Sequence, residues 1–203
     1  NVKELLKGKE KGDQVFDSIN SSDVNKYLQS FMKNLTAKVF RTYNASSLFQ
    51  RELRKISARY EGAEKTPAIQ KAILDDYSKA NAKVAKLLNH QKNVAKGYKK
   101  SVDKLNSTLD KLKKQLAKAR RSKKKKPATI AKIKDRIKNY KSKKELTKEM
   151  KNISLGTSKQ NYIDPRLSTS FMKKHDLPID KLFTKALQKK FTWAFTVDAD
   201  YKF

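Results

Sequence analysis

The chain has 203 residues, and 50 Lys and Arg against 20 Asp and Glu leave a formal charge of +30. The absence of Cys removes disulfides, thiolate metal sites and thiol nucleophiles, two His argue against a His-built zinc site, and five Gly leave no GxGxxG or GxxxxGK loop for a nucleotide. No apolar run nears the roughly 20 residues of a bilayer span, while 9 Phe, 8 Tyr and a Trp exceed what a disordered chain carries. The composition therefore predicts a mostly α-helical, basic protein whose partner is a polyanion and not a membrane.

The chain opens on Asn1-Val-Lys-Glu-Leu-Leu-Lys, without Met or a basic-then-apolar leader, and so reads as the C-terminal piece of something longer. Charge divides it into three. Residues 1–91 hold 17 basic and 10 acidic groups, residues 92–151 hold 24 and 5, and residues 152–203 hold 9 and 5. The first part predicts a helical body. Ser21 or Ser22 is placed to cap a helix with Val24, Tyr27, Leu28, Phe31 and Met32 on one face. A second helical segment over 36–49 carries Val39, Phe40, Tyr43 and Leu48, and Pro67 opens a long helix bearing Ile69, Ile73, Tyr77, Ala80, Val84, Leu87 and Leu88. Adjacent Asp75 and Asp76 point about 100° apart on that helix, which suits a solvated surface better than a metal.

In the middle part Val102, Leu105, Leu109, Leu112, Leu116 and Ala119 are spaced 3-4-3-4-3, and Ile130, Ile133, Ile137 and Tyr140 repeat 3-4-3. Arg120-Arg121-Ser122-Lys123-Lys124-Lys125-Lys126-Pro127 separates them, a charge run ended by a helix breaker. Two apolar seams joined by a short break predict a protruding antiparallel coiled-coil hairpin. Like charges along both arms repel unless a polyanion lies beside them.

The third part begins with the polar, unperiodic stretch Gly156-Thr-Ser-Lys-Gln-Asn-Tyr-Ile-Asp-Pro165, in which Asp164-Pro165 signals a helix start. A final helix from about Ile179 sets Leu182, Phe183, Ala186, Leu187, Phe191, Ala194 and Phe195 on one face, with Trp193 and Tyr201-Lys-Phe203 expected to dock. Tyr162 draws notice because it lies between Lys159, Asn161 and a helix start. A phenol is a weak nucleophile at neutral pH and needs cations to favour its phenolate. Spacing alone leaves open a surface tyrosine, a surface arginine at Arg41 and a helix C-cap at His90.

Leu35-Thr-Ala-Lys-Val-Phe-Arg-Thr-Tyr-Asn-Ala-Ser46, Leu87-Leu-Asn-His-Gln-Lys92 and Leu155-Gly-Thr-Ser-Lys-Gln-Asn-Tyr-Ile-Asp-Pro-Arg166 resemble the three signature blocks of the eukaryotic type IB DNA topoisomerases. Leu177-Pro-Ile-Asp-Lys-Leu-Phe-Thr-Lys and Lys190-Phe-Thr-Trp-Ala resemble that family's C-terminus. The resemblance implies an ATP-independent enzyme that needs no cofactor or metal. Residues 1–91 would belong to its catalytic core, 92–151 to its basic coiled-coil linker, and 152–203 to the domain holding the nucleophile. It also implies that Arg41 and His90 bind the scissile phosphate and that Tyr162 attacks it to form a 3′-phosphotyrosyl bond. Asn25, Lys38, Thr42, Asn89, Gln91, Lys92, Ser158, Lys159 and Asn161 fall at or beside its DNA-contacting positions. Double-stranded DNA, the upstream part of the same enzyme, a monomeric state and a nuclear location follow from the same resemblance.

Two departures accompany it. The family's first catalytic arginine and its lysine general acid lie upstream of Asn1, so the piece alone is not expected to cleave DNA. The family's usual Cys-Asn-His-Gln-Arg is here Leu88-Asn-His-Gln-Lys92, which keeps the charge and loses the planar fork. Two other classes compete. A tyrosine recombinase would lack the long insertion between His90 and Tyr162, and a non-catalytic nucleic-acid binder would have no use for the block from Ser158 to Tyr162.

Overall fold

A computed structural model describes residues 2–122 and 127–203, and every regular element among them is helical. The core forms where α3 (Ala37–Arg59), α4 (Pro67–Leu87) and α8 (Pro165–His175) meet. Phe49 of α3 is fully buried, with its ring 5.3 Å from Tyr77 of α4, whose ring is 5.8 Å from Phe171 of α8. The Tyr77 hydroxyl lies 2.7 Å from Ser168 Oγ, so the one polar atom of this aromatic stack is satisfied inside. Ala45, Phe49, Leu53 and Ile56 form the buried stripe of α3, and Ile73, Tyr77, Ala80 and Val84 that of α4. Both follow the 3-4 spacing of a helix face. Thr66 caps α4 by accepting from the Ile69 N–H, with Pro67 in the first turn.

Asp76 is more than solvated surface. It accepts from Arg59 at 2.6 Å and Lys79 at 3.1 Å, and so ties the end of α3 to α4.

The first helices depart from expectation in an informative way. α1 (Val2–Leu5) is a single turn. α2 (Ser21–Phe31) is capped by Asn20, whose side chain accepts from Ser22 and Asp23 while Asp23 accepts from the Asn20 N–H. This reciprocal box places both serines inside the helix rather than at its cap. The apolar face of α2 stays open, with Tyr27 at 67% and Phe31 at 70% exposure, and Val39, Phe40 and Tyr43 at the start of α3 are exposed too. Amphipathic spacing identifies a face that needs a partner, and the described residues leave most of this one open, apart from the Phe203 ring 6.0 Å from Tyr43.

α5 (Tyr98–Arg121) and α6 (Pro127–Glu149) pack chiefly on each other. Leu105, Leu109 and Leu112 are buried, while Val102, Leu116, Ala119, Ile130, Ile133, Ile137 and Tyr140 are half-buried. The Lys run at 123–126, expected to make the break, lies outside the described residues. The pair is tied at its base by an antiparallel bridge between Gln91 and Ile153.

The stretch from Gly156, read as irregular, contains α7 (Leu155–Asn161), and Asp164 caps α8 by accepting from the Arg166 N–H. The expected long final helix is broken into α9 (Ile179–Leu182), α10 (Lys185–Lys190) and a 3-10 turn (Thr192–Thr196). The break has a local cause: Phe183 is extended and the Thr184 hydroxyl accepts from the Leu187 N–H, starting a new helix. Leu182, Phe183, Leu187, Phe191 and Ala194 still reach the core. Phe203 docks through hydrogen bonds with the Gln50 side chain, whereas Trp193 is 55% exposed and lies against Arg166. No described helix is long and apolar enough to cross a membrane.

Candidate active site

His90 is positioned by how α4 ends. Asn89 takes a left-handed backbone (φ 54°), which lets its N–H donate to Lys86 O at 3.0 Å and the His90 N–H donate to Ala85 O at 2.9 Å. This double closure is the Schellman stop, and Asn tolerates its left-handed position better than other non-glycine residues. The His90 carbonyl accepts from the Ser154 N–H at 2.9 Å, and the Lys92 N–H donates to Asn152 O at 2.9 Å. The main chain of His90 is therefore held between the end of α4 and the segment leaving α6. Its side chain is held as well, with Nδ1 2.9 Å from the oxygen of the fully buried Ser158.

Arg41 arrives from the first turns of α3. Its Nη2 donates to Leu88 O at 2.7 Å, and its guanidinium carbon sits 5.0 Å from the centre of the Tyr162 ring. Lys38, one turn earlier, lies 5.9 Å from the same ring. The His90 and Tyr162 rings are 5.0 Å apart with planes inclined at 38°. Burial, and then the positive charge of Arg41, push His90 below its ordinary value, which favours the neutral ring. A neutral ring that accepts the Ser158 hydroxyl hydrogen at Nδ1 keeps its Nε2–H free to donate.

Tyr162 ends α7, with its N–H donating to Ser158 O at 3.0 Å. Its carbonyl accepts from Ser46 Oγ at 3.3 Å, and Ser46 Oγ in turn accepts from the Asp164 N–H at 3.0 Å. Ser46 is completely buried on α3. One hydroxyl thus bridges the two sides of the turn that carries the phenol.

The structure thus brings Arg41, His90 and Tyr162 together from three distant parts of the chain, with Lys38 beside them. Lys38, Asn89, Gln91, Lys92 and Asn161 are exposed around this centre, and Thr42 is half-buried. Gln91 Nε2 donates to Asn89 Oδ1 at 2.7 Å. Asn25 is turned to another task, its Oδ1 accepting from the Ala37 N–H at 3.1 Å and capping α3 from α2. Lys159 faces inward, donating to Leu182 O at 2.8 Å over the Tyr77 ring, and burial lowers its affinity for a proton. In this arrangement Ser158 orients His90 and Lys159 anchors α7. Among the described residues no cluster of three or more His, Asp or Glu converges as a metal cradle.

Sequence reasoning missed Ser46 altogether. A serine facing the core of a helix carries no local mark, and its role depends on a turn 116 residues away. A cavity of about 620 Å³ is lined by Ser57, Ile73, Phe171 and His175, and none of Arg41, His90 or Tyr162 opens onto it.

Residues 1–123 match a family model for the eukaryotic DNA topoisomerase I catalytic core, and residues 134–203 match a C-terminal topoisomerase domain. The whole chain aligns with a protein named DNA topoisomerase 1 in Drosophila melanogaster (36% identity, 21% of that protein) and in Caenorhabditis elegans (36%, 26%). It aligns over its whole length with the Homo sapiens protein of the same name at 39% identity, covering 28% of it. The chain spans between about a fifth and just over a quarter of the length of these relatives.

Proposed function

The chain belongs to the eukaryotic DNA topoisomerase I family, and on that premise we propose that it is the part of a type IB enzyme that carries the nucleophile. The observation that carries this reading is the convergence of Arg41, Lys38 and His90 on the ring of Tyr162. A scissile phosphate seated there meets Arg41 and the Nε2–H of His90 at its non-bridging oxygens. The Tyr162 hydroxyl gives up its proton to water as its oxygen attacks phosphorus, the bond to the 5′ oxygen of the downstream strand breaks, and a 3′-phosphotyrosyl bond takes its place. The energy of the phosphodiester is kept, so the freed strand rotates and its 5′ hydroxyl reverses the step without ATP. Donors fixed in advance on α3 and at the end of α4 stabilise charge that grows in the transition state.

The remainder of the enzyme supplies the first arginine and the lysine that protonates the leaving oxygen, and the piece alone does not cleave. The exposed aromatics of α2 and early α3, Tyr27, Phe31, Phe40 and Tyr43, are the seat for that upstream part, since so much apolar surface is otherwise costly in water. Residues 92–151 act as a basic linker beside the DNA, in favour of which speaks their charge of 24 basic to 5 acidic residues. The enzyme acts as a monomer in the nucleus, where a eukaryote keeps most of its duplex DNA. The test is denaturing-gel capture of end-labelled DNA by the full-length protein. Wild type retains label at the 3′ end and Tyr162→Phe retains none. Capture by the Phe variant, or attachment at a 5′ end, refutes the assignment.

A further inference from the structure

Behind the nucleophile's turn stands a second set of groups that the proposed reaction does not touch. Asp164, two residues after Tyr162, is buried. Its carboxylate caps α8 and also accepts a forked contact from Arg166, from Nε at 3.1 Å and Nη2 at 2.6 Å. The Tyr201 hydroxyl donates to Asp164 Oδ2 at 3.3 Å, and the Arg166 guanidinium lies 4.6 Å from the centre of the Tyr201 ring. The segment bearing Tyr201 is strapped down on either side. Ser170 Oγ donates to Ala199 O at 2.8 Å, and the Phe203 N–H donates to Gln50 Oε1 at 2.7 Å. The main-chain N–H of Asp164 in turn donates to Ser46 Oγ, which donates to the Tyr162 carbonyl.

Resting on the reading of Tyr162 as the nucleophile, we propose that Tyr201 is a positioning residue for it, acting through Asp164 and Ser46 on the Tyr162 main chain. The argument is one of stiffness. Tyr162 sits at the end of the seven-residue α7, too short to hold its own terminus rigidly. Its carbonyl has one described partner across the turn, Ser46, and Ser46 keeps its orientation because the Asp164 N–H donates to it. Asp164 is fixed by Arg166 and Tyr201 together. Removing the Tyr201 hydroxyl leaves the ion pair intact and takes away one of the three donors on Asp164 Oδ2, so the turn loosens without unfolding. A nucleophile displaced by a fraction of an ångström attacks more slowly at unchanged affinity for DNA.

The experiment uses the full-length enzyme with Tyr201→Phe, Asp164→Asn and the double variant. It measures single-turnover cleavage of a suicide DNA substrate, DNA affinity, melting temperature and amide exchange at residues 162–166. Tyr201→Phe is expected to slow cleavage about fivefold, leave DNA affinity and melting within error, and speed amide exchange at 162–166. Asp164→Asn is expected to slow cleavage more, and the double variant no further, since both break one chain of contacts. Unchanged cleavage and exchange in Tyr201→Phe overturns the proposal, as does additive loss in the double variant. Failure of the functional reading looks different: wild type then forms no 3′ adduct. Faster exchange at 162–166 in Tyr201→Phe would still report the strap in that case, and unchanged exchange would refute it.

Discussion

Replacing Ser158 with Ala removes one oxygen, the Oγ that lies 2.9 Å from His90 Nδ1 at a site with no solvent exposure. Two effects follow from that geometry, and they separate in experiment. The loss of one side-chain hydrogen bond costs about 1 kcal/mol of stability. For a chain of this size that is a fall of roughly 2–4 °C in melting temperature. The kinetic effect is larger in kind. On the proposed role of His90 as a transition-state donor, His90→Ala should cost about 3 kcal/mol, or a hundredfold in rate. Ser158→Ala leaves the imidazole in place, still flanked by Arg41 and fixed through its main chain, but releases the ring and its tautomer. About half the donor's contribution is then lost, which is roughly tenfold in cleavage rate. The assay is single-turnover cleavage of a suicide substrate by the full-length protein, with DNA affinity measured alongside. In a His90→Ala background, Ser158→Ala should slow cleavage no further, because its oxygen acts only through that ring. An equal tenfold loss in both backgrounds would refute the reasoning and give Ser158 a direct role on the DNA.

Three more outcomes are expected. At Asn89, whose φ is 54°, Gly should be tolerated, while Val should destabilise by about 1–2 kcal/mol and slow cleavage by moving His90; thermal melting and the suicide substrate read both. His175 is held below its ordinary value by burial and then by the Lys174 and Lys65 charges, with Asp176 opposing. The unfolded chain therefore takes up the proton first, so this contribution to stability is complete above about pH 6.5 and declines as pH falls through that value toward the folded-state one. His90 adds in the same direction, and melting should drop between pH 7 and pH 5, less steeply in His175→Gln. Changing Lys132, Lys134, Lys138 and Lys141 of α6 to Gln should weaken DNA binding evenly across sequences. Each phosphate contact so lost should lower the slope of log affinity against log salt by about 0.9.

Much of this protein was open to reading from residue order alone. The α4 stripe from Ile73 to Val84 and the seams of α5 and α6 follow from 3-4 spacing, because a helix presents such residues on one side whatever surrounds it. The start of α8 followed from Asp164-Pro165, since capping is chemistry between near neighbours. The long blocks around Arg41, His90 and Tyr162 marked a family by identity, which no spacing rule could have supplied. What periodicity could not decide is whether a face finds a partner. The stripe on α2 is as regular as that on α4, yet Tyr27 and Phe31 stay open, at 67% and 70% exposure. Nor could it choose between competing local signals, and at Thr184 a side-chain cap overrode an otherwise continuous helical face. The hydrogen-bonded support of Tyr162 was beyond sequence entirely. Ser46, Ser158, Asp164 and Tyr201 act through single hydrogen bonds that span up to 118 residues, and such bonds exist only once packing has excluded water from both ends.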